Sequence, residues 1–187
     1  MNLHRMLLER KAAGRPVTVG LIGAGKFGTM FASQCRLTEG MHLVGVADLN
    51  PDRARSQLKA GSWPEEQYAA SSIDDALRTG RTAILDNADL LVAHPAVEVI
   101  IEATGDPGAG IRFAIKAIEN GKHIVMVNVE ADAVAGPILA RKAKAAGVVY
   151  SLAWGDQPAL IADHVDWARA CGFRVVGDVG FDGINGE

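Results

Sequence analysis

Residues 18–31, TVGLIGAGKFGTMF, decide the fold of this chain. The apolar residues up to Ile22 predict a short buried strand, and the glycine-rich residues after it predict a tight turn that opens a helix. The spacing matches G-x-G-x-x-G, which is weak alone and typical of dinucleotide binding when it joins a strand to a helix. The motif consists of Gly23, Ala24, Gly25, Lys26, Phe27 and Gly28.

Each glycine of this motif has a predicted role. We expect Gly23 to permit the tight turn, Gly25 to let a pyrophosphate approach the backbone, and Gly28 to let the helix lie close to the strand. The N–H groups and the dipole at the helix N-terminus would then hold the phosphates. The alternative is a glycine turn that serves packing alone.

Asp48 ends the second predicted strand, 25 residues after Gly23. Its carboxylate is expected to accept hydrogen bonds from the adenosine ribose hydroxyls, and this favours NAD because the same charge repels the 2′-phosphate of NADP. Arg53 and Arg55 follow on the next predicted helix and would instead pair with that phosphate. These residues leave NAD and NADP open, and capping of the next helix is the alternative role for Asp48.

The rest of the chain alternates apolar runs with amphipathic segments, which predicts an α/β fold built on a doubly wound parallel sheet. Without an evident linker or repeat, residues 1–187 are expected to form one domain. A helix over residues 3–13 is expected to pack its apolar side on that domain. In the helix after the glycine turn, one apolar face is expected, formed by Phe27, Met30, Phe31 and Cys35. The predicted strands are 17–22, 42–48, 81–85, 98–105, 122–130, 148–154 and 173–180.

Ligands of open α/β sheets bind outside the carboxyl ends of the strands, where this sequence places several polar residues. Thr104 and Gly105 are expected over the cofactor. Glu130 is a candidate acid or base if it is partly buried, and Asp156 is a second catalytic candidate. Helix capping is the alternative reading at these strand ends, and it is less favoured for Asn128, which is predicted to lie in a strand.

Composition excludes several classes of protein. Hydrophobic residues make up 49% of the chain and charged residues 22%, which is typical of a globular protein, and the net charge of −3 argues against a broad nucleic-acid surface. Two cysteines do not make a disulfide framework and indicate a reducing cytoplasm, while the absence of a long apolar run argues against a membrane span. The five histidines lack metal-ligand spacing, so no metal site is expected.

Three stretches resemble the homoserine-dehydrogenase-like oxidoreductases: VGLIGAGKFG, IEATGDPGAGIRFAIKAIENGKHIVMVNVEADAVAGP and GVVYSLAWGDQPAL. The resemblance covers residues 3–176 and looks closest to the bacterial branch with deoxyxylulose-phosphate-reductoisomerase-like enzymes and proteins carrying a C-terminal SAF domain. It implies an NAD(P)-binding domain that serves the oxidation or reduction of a small carbonyl or alcohol substrate. It places the cofactor on the glycine loop, on the ribose-reading region from Asp48 to Arg53, on the turn of Ala103, Thr104 and Gly105, and on Asn128 near the nicotinamide.

The sequence also departs from this family. The branch implies NADPH, against what Asp48 suggests, and Val129 stands where homoserine dehydrogenases carry a lysine. Relatives continue into a lysine-bearing segment and a second domain that carries substrate contacts and dimerisation, whereas this sequence reads GDVGFDGINGE after Val176. We therefore expect catalytic parts to be missing. A non-catalytic dinucleotide-binding module and a truncated gene product are the alternatives, and a homo-oligomer is left open because a vacant docking surface would favour self-association.

Overall fold

The computed structural model describes residues 2–154 and 157–176 of the chain. Within them lies one six-stranded parallel sheet with the order β3-β2-β1-β4-β5-β6. The fold class predicted from the sequence is therefore confirmed. The strands are β1 (Val17–Ile22), β2 (Met41–Ala47), β3 (Ala83–Leu85), β4 (Val99–Glu102), β5 (His123–Met126) and β6 (Tyr150–Leu152).

Helices cover both faces of the sheet, and a 3₁₀ helix (Glu65–Tyr68) follows the third of them. Two separate apolar clusters result, because successive residues of a strand point to opposite faces. Ile100 belongs to one cluster and its neighbour Ile101 to the other. The helices are α1 (Leu3–Ala12), α2 (Lys26–Cys35), α3 (Pro51–Ala60), α4 (Ile73–Thr79), α5 (Ala88–Ala93), α6 (Pro107–Glu119), α7 (Val129–Ala146) and α8 (Gln157–Ala170).

The strand order reverses at β1, which lies between β2 and β4. Ile22, the last residue of β1, is level with Ala47 of β2 and with Glu102 of β4, and Glu102 is level with Met126 of β5. The carboxyl ends of four strands therefore meet at one edge of the sheet. This is the position at which doubly wound folds bind their ligands.

The first helix differs from the expectation that it packs an apolar side on the domain. None of its residues is buried, and the side chains of Leu3 and Met6 are exposed. A polar contact attaches the helix instead, since Arg10 donates a hydrogen bond of 2.7 Å to Glu98 at the start of β4. The carboxylate of Glu98 also accepts the N–H of Thr18 in β1.

The buried face of α2 differs in part from the prediction. Of the predicted face, Cys35 is buried and Phe31 packs half-buried against the same cluster, whereas Phe27 and Met30 are exposed. The other buried residues of the helix are Gly28 and Ala32, whose small size lets the helix lie close to the sheet.

Two predicted strands are corrected as well. The strand predicted over residues 122–130 ends at Met126, because Asn128 caps a helix that begins at Val129. Residues 173–176 of the last predicted strand contain no strand, and the remainder of that segment lies outside the described residues. Among the helices of the described part of the chain, none is both long and apolar enough to span a bilayer.

Candidate functional site

The turn between β1 and α2 requires two of its glycines for packing. Gly23 has φ of +98°, and a Cβ there would lie 2.5 Å from the carbonyl oxygen of Ala103. A Cβ on Gly28 would collide with the carbonyl oxygen of Gly23. Because these two glycines lack a Cβ, the end of β1 can lie close to the end of β4 and to α2.

Gly25 differs from both, because no atom of residues 2–154 or 157–176 lies within 4 Å of the position its Cβ would take. Its φ of −76° is open to any residue, so packing does not explain why this position is a glycine. Gly25, Lys26 and Phe27 are all exposed at the start of α2. The backbone at this point faces open space.

The N-terminus of α2 also lacks a side-chain cap. By contrast, α1 and each helix from α3 to α7 begin with a side chain that accepts a first-turn N–H. Uncapped N–H groups at a helix N-terminus bind anions, and a phosphate group satisfies several of them at once. An open approach at Gly25 together with uncapped amides fits the pyrophosphate of a dinucleotide.

Asp48 follows β2 and is buried beside this turn. Its Oδ2 accepts the N–H of Ala24 at 2.8 Å and its Oδ1 accepts the N–H of Asn50 at 2.8 Å. The cap of α3 is the side chain of Asn50, so Asp48 braces the glycine turn rather than capping that helix.

Arg53 of α3 covers the same carboxylate. Its guanidinium donates to Oδ1 of Asp48 at 2.8 Å and to Oδ2 at 2.9 Å. The side chain of Asp48 is 2% exposed and that of Arg53 is 55% exposed. The group that faces solvent beside the glycine turn is therefore the guanidinium of Arg53 and not the carboxylate of Asp48.

The pKa of Asp48 reflects these contacts. Burial alone would raise it, but the N–H donors of Ala24 and Asn50 and the guanidinium of Arg53 together outweigh burial and hold the pKa below its usual range. Because folding lowers the pKa of Asp48, its carboxylate stabilises the folded state at pH values above the pKa that it has in the unfolded chain. This stabilisation is lost as the pH falls through the pKa of the folded state.

We expect Asp48→Asn to lower the free energy of unfolding by about 1–3 kcal/mol at neutral pH, since the amide loses charge-assisted hydrogen bonds. The deficit should shrink as the pH falls below about 4, where the carboxyl of the unfolded wild-type chain becomes protonated, and should be smallest below the lower pKa of the folded carboxyl. Urea denaturation of both proteins across this pH range measures it. Asp52→Asn, at an exposed position of α3, is the control and should cost less than about 1 kcal/mol. A deficit independent of pH would contradict this account.

A second polar group lies at the ends of β4 and β5. Asn128 caps α7 by accepting the N–H of Ala131 at 3.1 Å, and its Nδ2 donates to the carbonyl oxygen of Asp106 at 2.8 Å and to Oγ1 of Thr104 at 3.4 Å. Capping was the role less favoured for Asn128 on sequence grounds, because a strand was predicted there. Asp106 caps α6 by accepting the N–H of Ala109.

The other predicted site residues differ in how deeply they are buried. Ala103 and Thr104 are half-buried directly after β4, and Gly105 is exposed with φ of +71°. Glu130 is exposed in the first turn of α7, so the partial burial expected of an acid or base is not met there. Asp156 lies outside the described residues.

Sequence reasoning assigned no role to Glu102, the last residue of β4. Its side chain is fully buried, its Oε1 accepts the N–H of Thr104 at 2.9 Å, and its Oε2 has no hydrogen-bond partner among the described residues. The available signal was a charged residue that directly follows the apolar strand residues 99–101, since acidic residues are rarely buried without a specific partner.

Other site chemistries receive no support from the described residues. No group of three or more His, Cys, Asp or Glu side chains there is arranged to hold a metal ion. Burial raises the pKa of the Cys35 thiol to about 12, so a thiolate is not available at neutral pH. Cys171 is exposed just beyond α8.

Comparison with known proteins agrees with this geometry. A family model described as the homoserine dehydrogenase NAD-binding domain matches residues 19–152. The homoserine dehydrogenase of Pseudomonas aeruginosa is 30% identical over 136 residues, and that of Neisseria gonorrhoeae is 27% identical over 123 residues. The matches take up 72% and 61% of this chain but 28% and 23% of the relatives.

Solved structures share the fold. The homoserine dehydrogenase from Thiobacillus denitrificans matches with a TM-score of 0.56 at 24% identity, covering 72% of this chain and 28% of that one. GenD2 from gentamicin A biosynthesis, solved in complex with NAD, matches with a TM-score of 0.55 at 20% identity and covers 82% of this chain and 39% of that one. Since the family model covers well over half of the sequence, the chain belongs to the family of homoserine dehydrogenase NAD-binding domains.

Proposed function

We propose that this chain is the NAD(P)-binding part of an oxidoreductase that transfers hydride to or from a small carbonyl or alcohol substrate. One observation carries the proposal: the uncapped N-terminus of α2 opens to solvent at Gly25, beside a carboxylate held by the same turn. Relatives that are named as dehydrogenases support an oxidoreductase over a non-catalytic binding module.

Each part of the cofactor has a proposed set of contacts on this chain. The backbone N–H groups of Gly25, Lys26 and Phe27 bind the pyrophosphate, Arg53 over Asp48 binds the adenosine ribose, and the turn after β4 with Asn128 lies beside the nicotinamide. The bound cofactor supplies the hydride chemistry, and the chain orients it at the sheet edge. Of the two sequence candidates for proton transfer to or from the substrate, Asp156 stays a proposal, whereas Glu130 is exposed and does not meet the condition of partial burial.

The arrangement of Asp48 and Arg53 favours NADP over NAD. Both oxygens of the carboxylate already accept hydrogen bonds from the protein, which leaves it a poor acceptor for ribose hydroxyls. Arg53 neutralises the charge that would repel a 2′-phosphate and presents an exposed guanidinium to it. Arginine is well suited to phosphate because its fork of donors can bind two oxygens at once.

Titration of the chain with NADH and NADPH side by side tests the proposal, and we expect tighter binding of NADPH. Arg53→Ala should weaken NADPH binding about 10- to 100-fold, because a charge-assisted contact is lost and Asp48 is left unneutralised. NADH binding should change less than about threefold. Isothermal titration calorimetry measures both affinities.

Arg55→Ala is the matched control, since Arg55 is exposed on the same helix two residues further on and points to a different side. It should leave both affinities within about threefold of wild type. Tighter binding of NADH by the wild type, or an equal loss from both arginine variants, would contradict the NADP assignment. Binding of neither dinucleotide would contradict the proposed function itself.

A further inference from the structure

The buried carboxyl of Glu102 is the unusual group at this edge of the sheet. It lies at the end of β4, level with the ends of β1 and β5, and its side chain is fully buried. One oxygen holds the N–H of Thr104, two residues later, and thereby closes the turn that follows the strand. The other oxygen has no hydrogen-bond partner in the part of the chain that the structure describes. A buried acceptor without a partner destabilises a fold, so its presence calls for a reason.

The surroundings of Glu102 form a compact bracket, which we define as Glu102, Thr104, Gly110 and Asn128. A Cβ on Gly110 would lie 2.9 Å from Oε2 of Glu102 and 2.6 Å from Nδ2 of Asn128, so the glycine leaves room for both polar groups. Asn128 in turn reaches Thr104 and the backbone of Asp106. Two side chains from neighbouring strand ends therefore hold the same turn.

We propose that Glu102 is a positioning residue for the nicotinamide half of the cofactor. It acts through the backbone N–H of Thr104 and fixes the position of the turn after β4, against which the nicotinamide lies. Among the described residues the bracket forms no hydrogen bond with the α2 N-terminus or with Arg53, although Thr104 lies beside Gly23 of the glycine turn. We therefore expect the adenosine and pyrophosphate half to be held largely independently of the bracket. This inference rests on the proposed function.

The two halves of the cofactor can be tested separately with ADP-ribose and 2′-phospho-ADP-ribose, which lack the nicotinamide. Glu102→Met keeps an unbranched side chain of similar length and removes both acceptor oxygens. We expect it to weaken NADPH and NADH binding about tenfold while changing the affinity for the two ADP-ribose probes less than about twofold. Glu102→Gln retains an oxygen for the N–H of Thr104 and should restore NADPH binding to within about threefold of wild type.

Two further measurements keep the test independent of the folding of one variant. Glu102→Asp withdraws the carboxyl by one methylene and should show the same difference between dinucleotide and ADP-ribose probes. In the wild type, amide exchange at Thr104 should slow more with NADPH than with 2′-phospho-ADP-ribose. Ile100→Val, in the core of the same strand, is the control that lowers stability without separating the two kinds of probe.

Loss of dinucleotide binding with retained ADP-ribose binding, together with recovery in Glu102→Gln, would support the inference. Equal loss of all probes, unchanged binding in Glu102→Met, or amide protection at Thr104 that does not depend on the nicotinamide would overturn it. A wild-type chain that binds none of the four probes would overturn the proposed function, and the inference with it. A wild type that binds all four while the variants show no difference would overturn the inference alone.

Discussion

Replacing Gly25 with aspartate is expected to lower the affinity for NADH and NADPH at least about 100-fold without destabilising the fold. A Cβ at Gly25 meets no atom of the described residues within 4 Å, so the added side chain enters the volume proposed for the pyrophosphate. The carboxylate would also bind the uncapped N–H groups of α2 itself and repel the phosphates. Calorimetric titration measures the loss of affinity.

Stability should respond in the opposite direction. Aspartate is among the best N-cap residues, so Gly25→Asp should leave the melting temperature unchanged or raise it slightly. Gly25→Ala, which adds a single methyl group, serves as a graded control and should weaken binding by a smaller factor. If Gly25→Asp bound either dinucleotide as tightly as wild type, the phosphate site would have been assigned to the wrong turn.

Much of the fold could be predicted because strands and glycine turns leave strong local signals. The run before Gly23 predicts β1 with the bounds that the structure has. Apolar runs buried on both faces of a parallel sheet, separated by caps, leave few competing interpretations.

Predictions failed where the decisive interaction joins residues distant in sequence. The attachment of α1 is an ion pair between Arg10 and Glu98, which hydrophobic periodicity does not report. The end of β5 is set by Asn128, whose amide bonds to Asp106 on a different loop as well as capping α7. A strand predicted from the β-propensity of residues 125–130 takes neither contact into account.

The candidate site, like the fold, could be predicted from the sequence only in part. The G-x-G-x-x-G spacing locates the turn, but the sequence does not reveal that Nη2 of Arg53 donates to both carboxylate oxygens of Asp48, the contact from which we propose NADP over NAD. Glu102 has no motif to mark it, because its role depends on the N–H of Thr104 and the space left by Gly110. Geometry of this kind follows from tertiary packing.

The changes at Gly25 are expected to lower cofactor affinity without loss of stability. Gly28→Ala is expected to lower stability as its main effect. The added methyl group would collide with the carbonyl oxygen of Gly23, a backbone atom that cannot rotate away. We expect the clash to outweigh the gain in helix propensity and to lower the free energy of unfolding by about 2 kcal/mol. For a domain of this size the melting temperature should fall by about 4–8 °C.

Gly25→Ala is the matched control for this prediction, because it adds the same atom to the same turn at a position with free space. Its melting temperature should stay within about 2 °C of wild type. The two variants therefore separate the two reasons for which this motif contains glycine: close packing of α2 on the strand at Gly28, and open approach of the cofactor at Gly25. Equal loss of stability in both variants would mean that the whole turn serves packing, and the case for a phosphate site at Gly25 would fail with it.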